Sequence, residues 1–326
     1  MSFAARTEQL LDAFRQRRPV RTNSLLMTIY GDSLEPHGGT LWLGSLIRLV
    51  EPLGISQRLV RTSVFRLTRE DWLIAKPRGR RSYYRLTERG RRQFGTAELR
   101  IYNDPPQAWD GTWRMAFVSS GELAAAQRDA IRRELAWQGF GMIAPDVFAH
   151  PTAALGPVEE MFEEKGLSER VILMRGEQLD STDRCATEEM VRRCWKLDAI
   201  EADYRAFIAS FAPLLDAAGD DDDLAPRECF LLRSLLIHEF RRVLLRDAQL
   251  PASLLPRGWA GQRARDLTRN LYGIVQARAE DHLMAHCETE HGGLPAANTE
   301  YARRFGGLCD NLTVEARHSG SASPAP

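Results

Sequence analysis

Apolar residues at Trp42, Leu43, Leu46, Ile47 and Val50 recur at helical spacing across residues 41–50. Gly54 supplies the permissive backbone wanted just past a helix end, and Ser56 is a good N-cap for a second helix running to about Arg69. Around that second helix Val60, Val64 and Leu67 gather on one side, while Arg58, Arg61, Thr62, Arg66 and Arg69 gather on the other. Residues 72–76 and 82–86 read as short strands joined by Pro77-Arg78-Gly79-Arg80-Arg81, a hairpin with a basic tip, and Thr87 caps a further helix.

Helix, turn, helix and hairpin in this order predict a winged helix-turn-helix over residues 1–98. Its second helix would lie in the DNA major groove. Arg58 and Arg61 are the candidates for base edges, because an Arg fork matches the guanine acceptors. Arg66 and Arg69 are expected at phosphates, with Arg78, Arg80 and Arg81 of the wing reaching phosphates or the minor groove. Phe65 falls on the basic face, where it either touches a thymine methyl or packs on the wing. The alternative is a solvated basic surface on a helical domain.

Residues 103–106, Asn-Asp-Pro-Pro, signal a linker. Beyond it the pattern predicts a strand over 112–118, a helix over 123–138 and two short strands within 140–150 turning at Ala144-Pro145-Asp146. A helix from Pro157 through Met161 and Phe162 follows, then a strand over 171–174. This βαββαβ order predicts a ferredoxin-like domain over 105–178. Its faces and edges suit pairing with a second copy, since helix-turn-helix proteins read symmetric half-sites in pairs; packing within one chain is the alternative.

From Asp183 the pattern turns helical, giving an expected all-helical C-terminal domain over 183–315 and a disordered tail over 316–326. Met190, Cys194, Leu197, Ile200 and Tyr204, then residues 230–245, carry the apolar stripes. Gly219 and Asp220 to Asp223 form an acidic connection; consecutive carboxylates do not converge on one ion as alternating ones do. The fold class expected is therefore α+β and multidomain.

Composition sharpens the picture through charge. The chain of 326 residues balances 44 Lys+Arg against 44 Asp+Glu, yet residues 1–92 hold 18 basic and 8 acidic side chains, a net of +10. Within it, residues 56–92 carry 12 basic and 3 acidic side chains. A polyanion partner for this end alone, double-stranded DNA, follows. No apolar run approaches the ~18 residues that span a bilayer, and Arg6, Glu8, Asp12, Arg15, Arg17, Arg18 and Arg21 leave no signal-peptide stretch, so a cytoplasmic protein with no membrane partner is expected. Five cysteines without a Cys-x-x-Cys pair indicate neither a disulfide framework nor a thiolate zinc site.

Catalytic chemistry is poorly served. His282 and His286 are four residues apart on a helical stretch, with Cys287, Glu290 and His291 close behind, and so are weak candidates for a metal. A metallopeptidase needs Glu directly after the first His, where Leu283 stands, and a surface histidine cluster is the preferred reading. Phosphate loops, nucleophile elbows and dinucleotide fingerprints are absent from the sequence. Neither an enzyme nor a cofactor is expected.

These residues resemble the PaaX repressors of phenylacetic acid catabolism. The similarity runs from about Ser24 to Leu312 through Tyr30-Gly31-Asp32, Trp42-Leu43-Gly44-Ser45-Leu46-Ile47, Val60-Arg61-Thr62-Ser63, Trp109-Asp110-Gly111-Thr112-Trp113 and Gly139-Phe140-Gly141. It continues through Leu236-Ile237-His238-Glu239-Phe240-Arg241-Arg242 and the run Leu250-Pro251-Ala252-Ser253-Leu254-Leu255-Pro256-Arg257-Gly258-Trp259-Ala260-Gly261. One departure is Ala248, where the family usually has Pro.

The resemblance implies a winged-helix domain, a ferredoxin-like domain, a helical C-terminal domain and a homodimer that represses catabolic promoters until an aryl-acyl-coenzyme A, phenylacetyl-coenzyme A, releases it. For such a thioester Arg233, Arg241, Arg242, Arg246 and Arg257 are candidate cations and His238, Trp195 and Trp259 candidate walls; the alternative is that these Arg residues pair with nearby carboxylates. Two competing classes stand beside this. A metal-dependent nuclease of the CRISPR-associated ferredoxin-like type needs an aspartate after the first strand, where Val118-Ser119-Ser120 stands. An effector-independent DNA-binding scaffold is the other.

Overall fold

The computed structural model describes residues 1–104, 108–119, 121, 123–179, 184–219 and 224–308, with Arg184 described for its backbone alone. Expectations placed on Pro105 and Pro106, Ser120, Asp183, Asp220 to Asp223, Cys309 and the 316–326 tail lie outside the described residues. The chain forms two compact units, unit 1 from Met1–Asn103, Phe207–Arg241 and Ala264–Pro326, unit 2 from Asp104–Ala206 and Arg242–Arg263. The helical stretch expected over 183–315 is therefore shared between the units.

In chain order, unit 1 begins with α1 (Phe3–Gln16) and α2 (Thr22–Ile29), which add to the expected elements. Next come β1 (Leu41–Trp42) and α3 (Leu43–Val50). The helix starts later than its apolar spacing predicts because Leu41 and Trp42 pair with Tyr84 and Tyr83 as an extra strand. Gly54, at φ +75°, takes the left-handed conformation that ends the following turn, which a side chain would strain. After α4 (Gln57–Arg69), β2 (Leu73–Arg78) and β3 (Arg81–Leu86) pair antiparallel down to Arg78 opposite Arg81. The turn is thus Gly79-Arg80 alone, shorter than the five residues expected, with Gly79 at φ +60°. The sheet order is β1-β3-β2, and α5 (Glu88–Tyr102) follows, capped by Thr87 Oγ1 accepting from Gly90 N at 3.0 Å.

Unit 2 carries β4 (Thr112–Val118), α6 (Ala125–Trp137), β5 (Gly141–Ala144), β6 (Val147–His150), α7 (Gly156–Glu164) and β7 (Val171–Glu177). All pairs are antiparallel in the order β5-β6-β4-β7, which fits the ferredoxin-like arrangement. Strand alternation divides the core in two. Ala116, Val118 and Phe148 pack with Ile131, Leu135 and Phe162 of α6 and α7. Trp113 and Met115 face the other way, toward Val191 of α8 (Arg184–Cys194) and Trp195 just beyond it. Trp195 lies so close over Gly141 that an added Cβ there would stand 2.6 Å from the indole, and its Nε1 donates to Gly139 O at 2.8 Å.

The remaining elements are α9 (Leu197–Leu215), α10 (Pro226–Leu244), α11 (Ala260–His286), β8 (Glu288–Thr289), β9 (Gly292–Gly293) and α12 (Thr299–Ala302). The β8–β9 hairpin corrects the all-helical expectation. Its Glu-Thr-Glu-His-Gly-Gly run has the alternation and terminal glycines of a tight hairpin, while helix propensity fades after His286.

Inside unit 1 the N-terminal segment and the C-terminal helices share a buried polar network centred on Asp32. Asp32 Oδ1 accepts from Tyr102 at 2.6 Å and Tyr272 at 3.0 Å, and the carboxylate meets Arg233 Nε at 3.2 Å and Arg304 NH1 at 3.4 Å. Arg233 also reaches Glu280 at 2.5 Å, and His37 Nε2 bonds the same carboxylate at 2.7 Å. Burial pushes the Tyr102 and Tyr272 phenols up, so both stay protonated donors. Every charge here has a partner, as a buried charge requires.

Candidate nucleic-acid interface

The α4 helix owes its orientation to its own composition. Ser56 caps it, Oγ accepting from Leu59 N at 3.3 Å, and Val60, Ser63, Val64 and Leu67 are buried. Arg58, Arg61, Thr62, Arg66 and Arg69 are all exposed on the opposite side. Thr62 Oγ1 donates back to Arg58 O at 3.0 Å, leaving its methyl and lone pairs outward. Phe65 is 65% exposed among these side chains. Arg66 pairs with Glu70 at 2.7 Å, and both partners are exposed.

The basic hairpin is placed beside α4, but three of its cations are already engaged. Arg81 lies 4.2 Å over the Trp42 ring and pairs with Glu288 at 2.6 Å. Lys76 pairs with Glu290 at 2.8 Å, and Arg78 donates to the Glu290 carbonyl. Arg48 joins from α3, 3.1 Å from Glu288. Arg81 and Arg48 hold the Glu288 carboxyl below the usual range, and Lys76 does the same for Glu290. Arg80, at the tip, is exposed. The acidic partners were missed in the sequence, where Glu290 stood only as a weak metal candidate beside a preferred surface histidine cluster; the Glu288-Thr289-Glu290 alternation before Gly292-Gly293 was the available signal.

The metal candidates do not converge. His282 and His286 lie with ring centroids 4.4 Å apart and their planes tilted by 32°, His286 Nδ1 bonds His282 O, and Glu290 is turned to Lys76. Burial and the neighbouring His286 push His282 down to about 4, so it is neutral at pH 7. Among the described residues no three His, Cys, Asp or Glu side chains gather as a metal site.

The effector candidates are divided. Arg233, His238 and Arg241 belong to unit 1, whereas Trp195, Arg242, Arg246, Arg257 and Trp259 belong to unit 2. Arg233 follows the alternative given for it: it is wholly buried and its charge is met by Asp32 and Glu280. His238 is buried against Thr28 Oγ1 at 3.1 Å. Arg241 donates to the same hydroxyl at 3.0 Å and borders a cavity with Thr28, Phe94, Glu98 and Ile237. That cavity has room for about one water. In unit 2 Trp195 is core, Trp259 stands edge-on to Tyr204 at 6.0 Å, Arg246 pairs with Asp203, and Arg242 and Arg257 are exposed.

No helix among the described residues is long and apolar enough to cross a membrane. Comparison with known proteins adds three family matches: PaaX-like protein over residues 21–90, the PaaX protein central Cas2-like domain over 106–188, and the PaaX-like protein C-terminal domain over 195–285. Uncharacterized protein Rv0674 from Mycobacterium tuberculosis, a solved structure, is similar over 73% of this chain and 89% of that one, at TM-score 0.48 and 21% identity. The transcriptional repressor PaaX of Escherichia coli (strain K12) is 41% identical over 311 residues, 94% of this chain and 97% of that protein. With three family domains in order and this whole-length identity, the chain belongs to the PaaX family, and its kinship is with a transcriptional repressor rather than an enzyme.

Proposed function

We propose that this protein is a DNA-binding repressor of phenylacetic acid catabolic genes, acting in the cytoplasm as a homodimer and released by an aryl-acyl-coenzyme A. The observation that carries the DNA reading is α4, with one face buried and Arg58, Arg61, Thr62, Phe65, Arg66 and Arg69 bare on the other. In this reading residues 1–98 work as a winged helix-turn-helix. Arg58 and Arg61 read guanine edges, Phe65 meets a thymine methyl, and Arg66, Arg69 and Arg80 meet phosphates.

The homodimer is placed on unit 2. β7 is an edge strand of the sheet, and Ile172 and Met174 on it are 64% and 50% exposed. Such an edge is a template for a further strand, and a second copy supplies it. The effector rests on family membership. Of the candidates, His238 and Arg241 in unit 1 and Arg242, Arg257, Trp195 and Trp259 in unit 2 are kept for separate tests, and the cavity that Arg241 borders, with room for about one water, would hold a thioester only in a rearranged state. Release needs tighter binding to the DNA-incompetent state, since equal affinity for both shifts nothing.

The test selects duplexes from a random pool with the full chain, then titrates phenylacetyl-coenzyme A or free phenylacetate into the complex. Recovery of a palindrome with half-sites about one helical turn apart, weakened by the thioester, is expected. A pool without enrichment contradicts the repressor reading, and an enriched site indifferent to both compounds contradicts the effector alone.

A further inference from the structure

The four basic side chains held by β8–β9 belong to the wing and to α3 beside it, where a phosphate backbone would pass if residues 1–98 bind DNA as proposed. Glu288 meets Arg81 and Arg48, while Glu290 meets Lys76 and lends its carbonyl to Arg78. The hairpin carrying these acids is fixed at both ends. Glu288 N donates to Ser45 Oγ at 3.1 Å, and beyond β9 the Pro295 carbonyl bonds His37 Nδ1 at 2.7 Å. Buried Cys287 and Leu294 flank the hairpin. The hairpin is thus an anchored acidic prong, whereas Lys76 and Arg81 are long side chains 62% and 48% exposed, with Arg81 resting on the Trp42 ring.

We propose that Glu288 and Glu290 act as a built-in phosphate substitute, occupying Arg48, Lys76 and Arg81 in the free protein and competing with DNA for them. The inference rests on the DNA-binding reading and deepens it, since it assigns the wing a regulated rather than a standing share of affinity. The chemistry is suited to exchange. The cations of these pairs are 48–62% exposed while Glu290 is 13% exposed, so the acids stay in place and the pairs, open to solvent on their cationic side, are weakened by salt and open to exchange with a phosphate. Arg80, which Glu288 and Glu290 leave alone, would engage phosphate from the outset. The exchange also returns two carboxylates to face the DNA, a penalty on non-specific binding that only a duplex held firmly by α4 would overcome.

The experiment uses the full chain and a fluorescent 30-base-pair duplex of random sequence, with affinity measured by anisotropy across a salt series. In the Glu288→Gln/Glu290→Gln variant, loss of three partly exposed pairs should tighten binding by about threefold to thirtyfold. The slope of log affinity against log salt should steepen by about two. Glu300→Gln, which removes an exposed acid paired with Arg303, controls for net charge and should change binding far less.

Lys76→Ala and Arg81→Ala, made in both backgrounds, decide the mechanism. They should matter little in the otherwise native chain and weaken binding in the double-Gln chain, a non-additivity that a distant charge effect does not produce. Unchanged affinity in the double-Gln variant, or equal Lys76 and Arg81 effects in both backgrounds, overturns the competition. Arg80→Ala separates the two readings. If Arg80→Ala weakens binding while the double-Gln variant does not tighten it, the wing reading survives and the competition fails. If Arg80→Ala has no effect either, the wing contact itself fails.

Discussion

Arg233→Met isolates the buried network of unit 1. The guanidinium is wholly buried, lies 3.2 Å from Asp32 and 2.5 Å from Glu280, and donates to Tyr301 at 3.1 Å and Ser33 at 2.9 Å. Burial works against its charge, and Asp32 with its neighbours more than reverses this. Methionine fills much of the same volume, so the cost is electrostatic rather than a cavity. Breaking a buried pair by removing one partner costs about 3–5 kcal/mol. Arg304 still faces Asp32 and His37 still faces Glu280, which places the expected loss near the lower end, about 3 kcal/mol.

Urea denaturation, with hydrogen exchange assigning the transition to peptides of α2, α10 and α11, measures it. At a typical dependence of ~1–3 kcal/mol per molar urea, the midpoint for unit 1 should fall by about 1–3 M while unit 2 is unmoved. Arg303→Ala, which breaks an exposed pair with Glu300, is the comparison and should stay within about 0.5 kcal/mol. A midpoint for Arg233→Met no lower than for Arg303→Ala would refute the claim that this network holds unit 1.

Three further outcomes follow from particular contacts. His37 and Arg233 outweigh burial and push Glu280 down to about 2 from 4.5. A depressed carboxylate stabilises above its unfolded value, so about 3 kcal/mol should be present above pH 4.5 and disappear as pH falls toward 2, with Glu280→Gln flattening that limb of an acid titration. Gly141→Ala puts a methyl 2.6 Å from the Trp195 indole and should destabilise unit 2 by about 1–3 kcal/mol in thermal unfolding, leaving unit 1 unaffected. Ile172→Lys with Met174→Glu should convert a homodimer to a monomer in sedimentation without loss of secondary structure; persistence of the dimer would move the interface off β7.

Periodicity made α4 and the βαββαβ order legible because α4 has one buried and one wet face and β4 alternates its residues between two packed clusters, so each element carries its own period. Ser56, Thr87 and Gly54 marked helix ends for the same local reason. What escaped were arrangements whose cause lies far along the chain. Arg233 sits in the apolar stripe of α10 and looked like a cation awaiting a ligand. Its partners come from the opposite end of the sequence, Ser33 being 200 residues away, and no local pattern records that. Glu288 and Glu290 were overshadowed by the histidines before them, although their role depends on Lys76, read only as part of a strand, and on Arg81, assigned to DNA alone. Leu41 and Trp42 fit a helix by spacing and became a strand because Tyr83 and Tyr84 offered pairing. Tertiary partners overrode local preference in each case.

The central claim, that α4 reads DNA, is tested most directly by the Arg58→Ala/Arg61→Ala variant against the duplex selected by the native chain. Both side chains are exposed, so circular dichroism and thermal unfolding should be unchanged. At ~1–3 kcal/mol for each base contact, affinity for the selected duplex should fall about thirtyfold or more, and preference over a random duplex should shrink with it. A folded double variant that binds the selected duplex as tightly as the native chain would contradict the account.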